Sequence, residues 1–126
     1  MANILLVEDD ESSRRYLALV LEQLGHEVRA VAGGQQALEE IEAHGCPDAI
    51  VSDLVMPGMD GNELIEELRK READCMAPVF FMLYTGQPTV SKVVSAVTSG
   101  ADEVLIKPLD ITKLAKALER VKPSRV

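Results

Sequence analysis

Near its start the chain reads Asn3-Ile4-Leu5-Leu6-Val7-Glu8-Asp9-Asp10, an apolar run that ends abruptly in acidic residues. A short and nearly all apolar run is typical of a strand that is buried on both faces of a parallel sheet. Residues at helical spacing follow and predict a helix with one apolar stripe. The stripe consists of Leu17, Val20, Leu21 and Leu24. We expect Ser12 or Ser13 to cap the start of this helix and Gly25 to end it.

The alternation of strand-like and helix-like segments continues along the chain. Strands are predicted at Asn3–Val7, Glu27–Val31, Asp48–Ser52, Val79–Tyr84 and Glu103–Ile106. The later helices are predicted to bury Ala37, Leu38, Ile41, Leu64, Ile65, Leu68, Val90, Val93, Val94, Val97, Ile111, Leu114, Leu118 and Val121. Five strand–helix units in series predict an α/β fold, with a parallel sheet covered by helices on both faces. In open sheets of this kind, ligands bind at the carboxyl ends of the strands.

The composition argues against several classes of function. The chain has 126 residues, which suits one domain, and 47% of them are hydrophobic, so intrinsic disorder is not expected. The net charge of −8 disfavours direct binding to nucleic acids or to anionic membranes. No apolar run approaches the roughly 20 residues of a membrane span. Cys46 and Cys75 could form one disulfide, but we expect two free thiols, as is usual in the cytoplasm.

Polar side chains follow four of the predicted strands. Glu8 and Asp9 follow the first strand, Asp53 the third, Thr85 the fourth and Lys107 the fifth. If these strands are neighbours, the side chains meet in one shallow pocket. Closely packed carboxylates repel one another, and one lysine cannot offset three of them, so the cluster predicts a hard divalent cation such as Mg²⁺. Aspartate can form a covalent phosphoryl intermediate, whose oxygens suit an ammonium and a hydroxyl group.

Taken singly, each of these features has an ordinary explanation as a helix N-terminus, a turn or a cap. Taken in order at the strand ends, they resemble the receiver domains of bacterial two-component response regulators. The resemblance covers Ile4 to about Val121 and depends on four motifs, which are Ile4–Asp10, Asp53–Gly61, Thr85-Gly86, and Gly100–Asp102 with Lys107-Pro108. It implies a flavodoxin-like (βα)5 fold. That fold is a three-layer, doubly wound, five-stranded parallel sheet in the order 2-1-3-4-5.

The resemblance also implies a role for each residue at the strand ends. The implied ligands of Mg²⁺ are Glu8, Asp9, Asp53 and the backbone carbonyl of Val55. Asp53 would also accept the phosphoryl group, and Thr85 and Lys107 would bind its oxygens. The donor would be a phosphohistidine on a histidine kinase or on a histidine phosphotransfer protein.

The implied function is a phosphorylation-dependent signalling switch, which catalyses phosphotransfer to its own aspartate and acts on no external substrate. Phosphorylation would change a protein-binding surface on the fourth helix, fifth strand and fifth helix, for an unknown downstream protein. We expect a single receiver domain over residues 1–126, without an output domain in this chain, located in the cytoplasm.

Two alternatives come from other classes of protein. Val104 stands where the family often has an aromatic switch residue, which mildly favours an unphosphorylated pseudo-receiver scaffold. Tyr84, beside Thr85, is a candidate to take part in the switch instead. The other alternative is a small aspartate-nucleophile phosphatase or a nucleotide- or flavin-binding α/β protein. Val55 stands where such phosphatases carry a second acid, and the phosphate-binding motifs GxxxxGK(S/T) and GxGxxG are missing from the sequence.

Overall fold

The computed structural model describes residues 2–86 and 89–122. Its strands are β1 (Asn3–Val7), β2 (Glu27–Val31), β3 (Ala49–Asp53), β4 (Phe80–Thr85) and β5 (Glu103–Ile106). Its helices are α1 (Glu11–Gln23), α2 (Gly34–His44), α3 (Gly61–Arg71), α4 (Val90–Ser99) and α5 (Ile111–Leu118), with a 3-10 turn at Glu72–Asp74. All strands pair in parallel in the order β2-β1-β3-β4-β5, which confirms the predicted fold class.

Strands β3 and β4 both begin and end one residue later than the sequence predicts. The reason is that parallel pairing continues into the first polar residues, with Asp53 opposite Tyr84 and Thr85 opposite Ile106. Asp53 and Thr85 are therefore held by the sheet itself and not by flexible loops.

Two apolar clusters lie on the two faces of the sheet. Helices α1 and α5 cover one face, and α2, α3 and α4 cover the other. The central strands β1, β3 and β4 are buried almost throughout, whereas the edge strands β2 and β5 are more exposed. Side chains alternate along each strand, so Leu83 packs in the cluster of α2, α3 and α4 while Tyr84 packs with α1 and α5. Within the described residues, the helices are all too short or too polar to traverse a bilayer.

Asp10 caps the start of helix α1, and its carboxylate accepts a hydrogen bond from the backbone N–H of Ser13 at 2.8 Å. The prediction that Ser12 or Ser13 caps this helix is wrong, because both serines already lie in its first turn. The predicted stop at Gly25 is confirmed, since this glycine adopts a positive φ of 98° just after the helix.

Helix α3 starts directly against the end of β3. Asp60 caps it, and Glu63 completes a capping box by accepting from the backbone N–H of Asp60. A Cβ added at Gly61 would lie 2.9 Å from the carbonyl oxygen of Asp53 and 3.0 Å from the Cα of Leu54. Because Gly61 has no side chain, the start of α3 can pack directly against the backbone at Asp53.

The apolar stripe of α4 does not face the core as the sequence predicts. The residues wrongly predicted to be buried are Val90, Val94, Val97 and, at the start of α5, Ile111. Val90 is 80% exposed, and the side chain that α4 buries is Ala96. The reason is that β5 is a short edge strand, so the sheet offers this helix a narrow surface on which a small residue fits best. The other predicted core residues of the helices are buried or half-buried.

Cys46 and Cys75 form a disulfide bond, with their Cα atoms 5.7 Å apart. The prediction of two free thiols is therefore wrong. Cys46 lies three residues before the start of β3, and Cys75 follows the 3-10 turn that leads towards β4. Because β3 and β4 are neighbours, residues separated by 29 positions in sequence meet at the amino edge of the sheet. Sequence distance alone gives no sign of this proximity.

Candidate functional site

The polar residues predicted at the strand ends converge at the carboxyl edge of the sheet. Asp53 and Thr85 are the last residues of β3 and β4, and Glu8 and Lys107 directly follow β1 and β5. The sheet order makes β1, β3, β4 and β5 successive neighbours. The structure therefore brings these side chains together as the sequence predicts.

Three carboxylates form the centre of the site. Glu8, Asp9 and Asp53 each offer an oxygen that lies within 4.8 Å of the other two. Glu8 and Asp53 are buried, at 2% and 5% exposure, whereas Asp9 is exposed. Buried carboxylates at this spacing repel one another strongly unless a cation intervenes. An all-oxygen donor set that is open on one side fits a hard divalent cation that retains some of its water.

Lys107 provides an ammonium group to this cluster. Its Nζ lies 2.7 Å from Oδ2 of Asp53, while the other oxygen of Asp53 accepts from the backbone N–H of Val55 at 3.2 Å. The two oxygens of Asp53 thus face one ammonium and one amide donor. Such donors also suit the oxygens of a phosphoryl group.

Thr85 lies beside Lys107 in the same edge. Its side chain is buried, and its backbone carbonyl accepts from the N–H of Lys107 at 2.9 Å. This bond ties the end of β4 to the residue that carries the ammonium. The backbone positions of Thr85 and Lys107 are therefore linked directly.

Glu8 is held at both carboxylate oxygens. The hydroxyl of Tyr84 donates to Oε1 at 2.7 Å, and the backbone N–H of Asp10 donates to Oε2 at 3.0 Å. Burial raises the pKa of Glu8 above its ordinary value; the two hydrogen bonds oppose this effect, and the charge of Asp53 adds to it. Burial and the contact with Glu8 raise the pKa of Tyr84, so its hydroxyl is a hydrogen-bond donor at neutral pH.

Tyr84 is the residue of this site whose position the sequence did not indicate. Sequence reasoning marks it only as a candidate switch residue, in place of the missing aromatic at Val104. Val104 packs in the cluster of α2, α3 and α4, on the opposite face of the sheet from Tyr84. Tyr84 is thus no spatial substitute for an aromatic residue at 104. The available signal was its place on β4, one residue before Thr85, on the face of the sheet that α1 and α5 cover.

The raised pKa of Glu8 predicts an effect on stability. A carboxyl group whose pKa is higher in the folded state contributes stability that is present below its ordinary value of 4.5 and lost as the pH rises through the folded value. Glu8→Gln removes this loss and keeps an acceptor for Tyr84. We expect the variant to melt at a higher temperature than the wild type at pH 7 without divalent cations, and at a similar temperature below pH 4. Thermal denaturation across this pH range measures the difference, and a lower melting temperature of the variant at pH 7 would contradict the argument.

A comparison of the chain with known protein families identifies it. The profile described as "Response regulator receiver domain" matches residues 4–119. This chain belongs to the receiver domain family. Receiver domains are the signalling domains of response regulators and accept phosphoryl groups from histidine kinases, and the three-carboxylate cluster of this chain fits the phosphorylation site of the family.

Relatives and solved structures agree with the family assignment. The receiver domain is 36% identical over 119 residues to the DNA-binding transcriptional regulator NtrC of Azospirillum brasilense, covering 94% of this chain and 24% of that protein. It is 35% identical over 121 residues to the sensory transduction protein RegX3 of Mycolicibacterium smegmatis, covering 96% of this chain and 50% of that protein. The structure of chemotaxis protein CheY4 of Vibrio cholerae matches with a TM-score of 0.84 and 31% identity, covering 97% of this chain and 99% of that one.

The receiver domain spans about half or less of the length of the curated relatives that it matches, from 24% to 51%. The solved structures include chains of about the same length as this one, such as that of CheY4, of which 99% is covered. What the receiver is attached to, or acts upon, is therefore a separate question from the chemistry of its site.

Proposed function

We propose that Asp53 is the phosphoacceptor of this receiver domain, and that its donor is a phosphohistidine on a histidine kinase or on a histidine phosphotransfer protein. The observation that carries the proposal is the environment of the Asp53 carboxylate. It is buried within the three-carboxylate cluster and is paired with Lys107 at 2.7 Å. A nucleophilic carboxylate beside a fixed cation is what formation of an acyl phosphate requires.

Mg²⁺ is the proposed metal of the site. The proposed ligands are Glu8, Asp9, Asp53 and the backbone carbonyl of Val55, and the burial of two carboxylates beside an exposed third supports this set. Bound there, the ion would neutralise charge on the carboxylates and on the entering phosphoryl group. Mg²⁺ is favoured because it binds through few carboxylates, together with water and phosphate oxygens.

The groups of this chain then have defined tasks. An oxygen of Asp53 attacks phosphorus, the bond between phosphorus and the donor's histidine nitrogen breaks, and that nitrogen retains the electron pair. The ammonium of Lys107 exchanges its contact with Asp53 for one with a phosphoryl oxygen, and the Thr85 hydroxyl donates to another. The added charge of about −1.5 to −2 is located beside the ends of β4 and β5. The domain catalyses this transfer to itself and acts on no external substrate.

The proposed output surface consists of α4, β5 and α5. Three exposed apolar side chains support it. Val94 and Val97 lie on α4, the helix that follows Thr85 in the chain, and Ile106 directly precedes Lys107. Scattered apolar side chains are ordinary on a surface. Apolar side chains on the elements next to residues that bind a phosphoryl group suit a protein partner that responds to phosphorylation. We propose a single receiver domain over residues 1–126 that acts in the cytoplasm on a downstream protein and not on DNA itself.

Intact mass spectrometry tests the proposed function. Wild-type protein incubated with a small phosphodonor and Mg²⁺ is expected to gain one phosphoryl group, and to gain none with a chelator. Asp53→Asn is expected to gain none in either buffer. Asp74→Asn, at an exposed aspartate near the amino edge of the sheet, is the matched control and is expected to behave as the wild type.

The pseudo-receiver scaffold is the second candidate, and the aliphatic Val104 is the observation that favours it. Lack of phosphorylation in the wild type, together with failure to bind beryllium fluoride in the presence of Mg²⁺, would support the scaffold and exclude the switch.

A further inference from the structure

We propose that Tyr84 is a positioning residue, which holds Glu8 in place for the metal ion and Lys107 in place for the phosphoryl group. The inference rests on the proposed function and extends it to a residue outside the expected ligand set. Tyr84 contacts both groups, because its hydroxyl donates a hydrogen bond to Glu8 and its ring lies against the ammonium of Lys107.

The position of Tyr84 is fixed by the sheet. The residue is 1% exposed, and it pairs in register with Asp53 on the neighbouring strand. Its side chain packs in the cluster of α1 and α5. A buried phenol needs a hydrogen-bond partner, and here the partner is Oε1 of Glu8 at 2.7 Å. The position of Tyr84 is therefore fixed both at its backbone, by strand pairing, and at its hydroxyl, by the hydrogen bond.

The hydroxyl determines where the Glu8 carboxylate can point. Glutamate has one more rotatable bond than aspartate, so an unsupported Glu8 would sample several positions and a cation would have to select one of them. The Tyr84 hydroxyl holds one oxygen of the Glu8 carboxylate, and the backbone N–H of Asp10 holds the other. Hydrogen bonds that orient a metal ligand in this way change metal affinity by about 10–100-fold when they are removed.

The ring of Tyr84 supports the cation of the site. Nζ of Lys107 lies 5.2 Å from the ring centroid, within the distance at which an ammonium is attracted to an aromatic face. Lys107 must leave Asp53 to bind a phosphoryl oxygen under the proposed function. A ring that attracts the ammonium from one side keeps it near the site during that exchange.

Metal binding by Tyr84→Phe distinguishes the contribution of the hydroxyl from that of the ring, because phenylalanine keeps the ring alone. We expect this variant to bind Mg²⁺ about 10-fold or more weakly than the wild type in calorimetric titration, with its ring contact to Lys107 retained. Tyr16→Phe is the matched control, because Tyr16 lines the same surface cavity as Tyr84 but is 58% exposed. The control is expected to bind Mg²⁺ as the wild type does.

Tyrosine fluorescence gives a second readout that does not depend on the stability of the Tyr84 variant. The chain contains two tyrosines and no tryptophan, so in Tyr16→Phe the emission comes from Tyr84 alone. We expect this emission to change as Mg²⁺ is added and to follow the calorimetric binding curve. An unchanged emission at saturating Mg²⁺ would overturn the inference.

The outcomes distinguish the two proposals. Equal Mg²⁺ affinity of the wild type and Tyr84→Phe would overturn the role of Tyr84 and leave the proposed function intact. Failure of the wild type to bind Mg²⁺ at all would overturn both. Weaker binding by Tyr84→Phe and unchanged binding by Tyr16→Phe is the result that supports the inference.

Discussion

Replacing Lys107 with methionine is expected to slow phosphorylation of Asp53 by about 10²–10³-fold, the usual effect of removing one preorganised donor from a developing anion. Methionine retains most of the length and the apolar part of the side chain, so the change removes mainly the charge. In the wild type the ammonium is 2.7 Å from Asp53, which is one of three clustered carboxylates. Without it, the phosphoryl oxygens would lose the ammonium that pairs with Asp53.

The measurement is the rate at which the phosphorylated protein accumulates, followed by intact mass spectrometry with a small phosphodonor at saturating Mg²⁺. A small donor is preferred because it removes any effect of the variant on docking of a partner protein. Lys113→Met, at an exposed lysine on α5, changes the net charge by the same amount and is expected to leave the rate unchanged. A rate for Lys107→Met within a few-fold of the wild type would show that Lys107 does not bind the phosphoryl group.

Reduction of the Cys46–Cys75 disulfide is expected to lower the free energy of unfolding by about 3 to 4 kcal/mol, because the bond restricts the unfolded chain over a long loop. For a domain of this size the corresponding fall in melting temperature is about 10 to 15 °C. The two half-buried cysteines pack against the cluster of α2, α3 and α4, so the bond also ties α2 to the turn after α3. Thermal denaturation with and without a reductant measures the effect.

The double variant Cys46→Ser/Cys75→Ser is the control for the reductant. It should melt at the temperature of the reduced wild type, and a reductant should not change its melting temperature further. The bond lies at the amino edge of the sheet and Asp53 at the carboxyl edge, so phosphorylation at a temperature well below melting should be unaffected. A melting temperature that does not respond to the reductant would contradict a stabilising role for the bond.

Much of the fold follows from local pattern. The run from Asn3 to Val7 is apolar on both faces and becomes a central strand, as expected for a parallel sheet. The site residues at the strand ends could be predicted because a parallel sheet brings the carboxyl ends of its strands to one edge. Glu8, Asp53, Thr85 and Lys107 are accordingly found together.

The features that the sequence did not reveal all depend on distance in space or on tertiary context. The pairing of Cys46 with Cys75 depends on β3 lying next to β4, and the contact of Tyr84 with Glu8 spans 76 positions in sequence. The valines of α4 follow a helical period, but periodicity cannot tell how wide a surface the sheet presents beneath them. The edge position of β5 decides that they are exposed.

The composition of α4 has an energetic consequence. Helix α4 is rich in β-branched residues, which are poor helix formers. Its buried side chain is that of Ala96, and exposed hydrogen bonds at Ser95 and Ser99 join it to α3. An element with so little buried apolar area opens at a small fraction of the global unfolding free energy. The disulfide and the central strands provide stability elsewhere, so we expect the core to stay intact if this helix moves. We then expect a modest free-energy change at Thr85 to shift this helix while the sheet stays undisturbed.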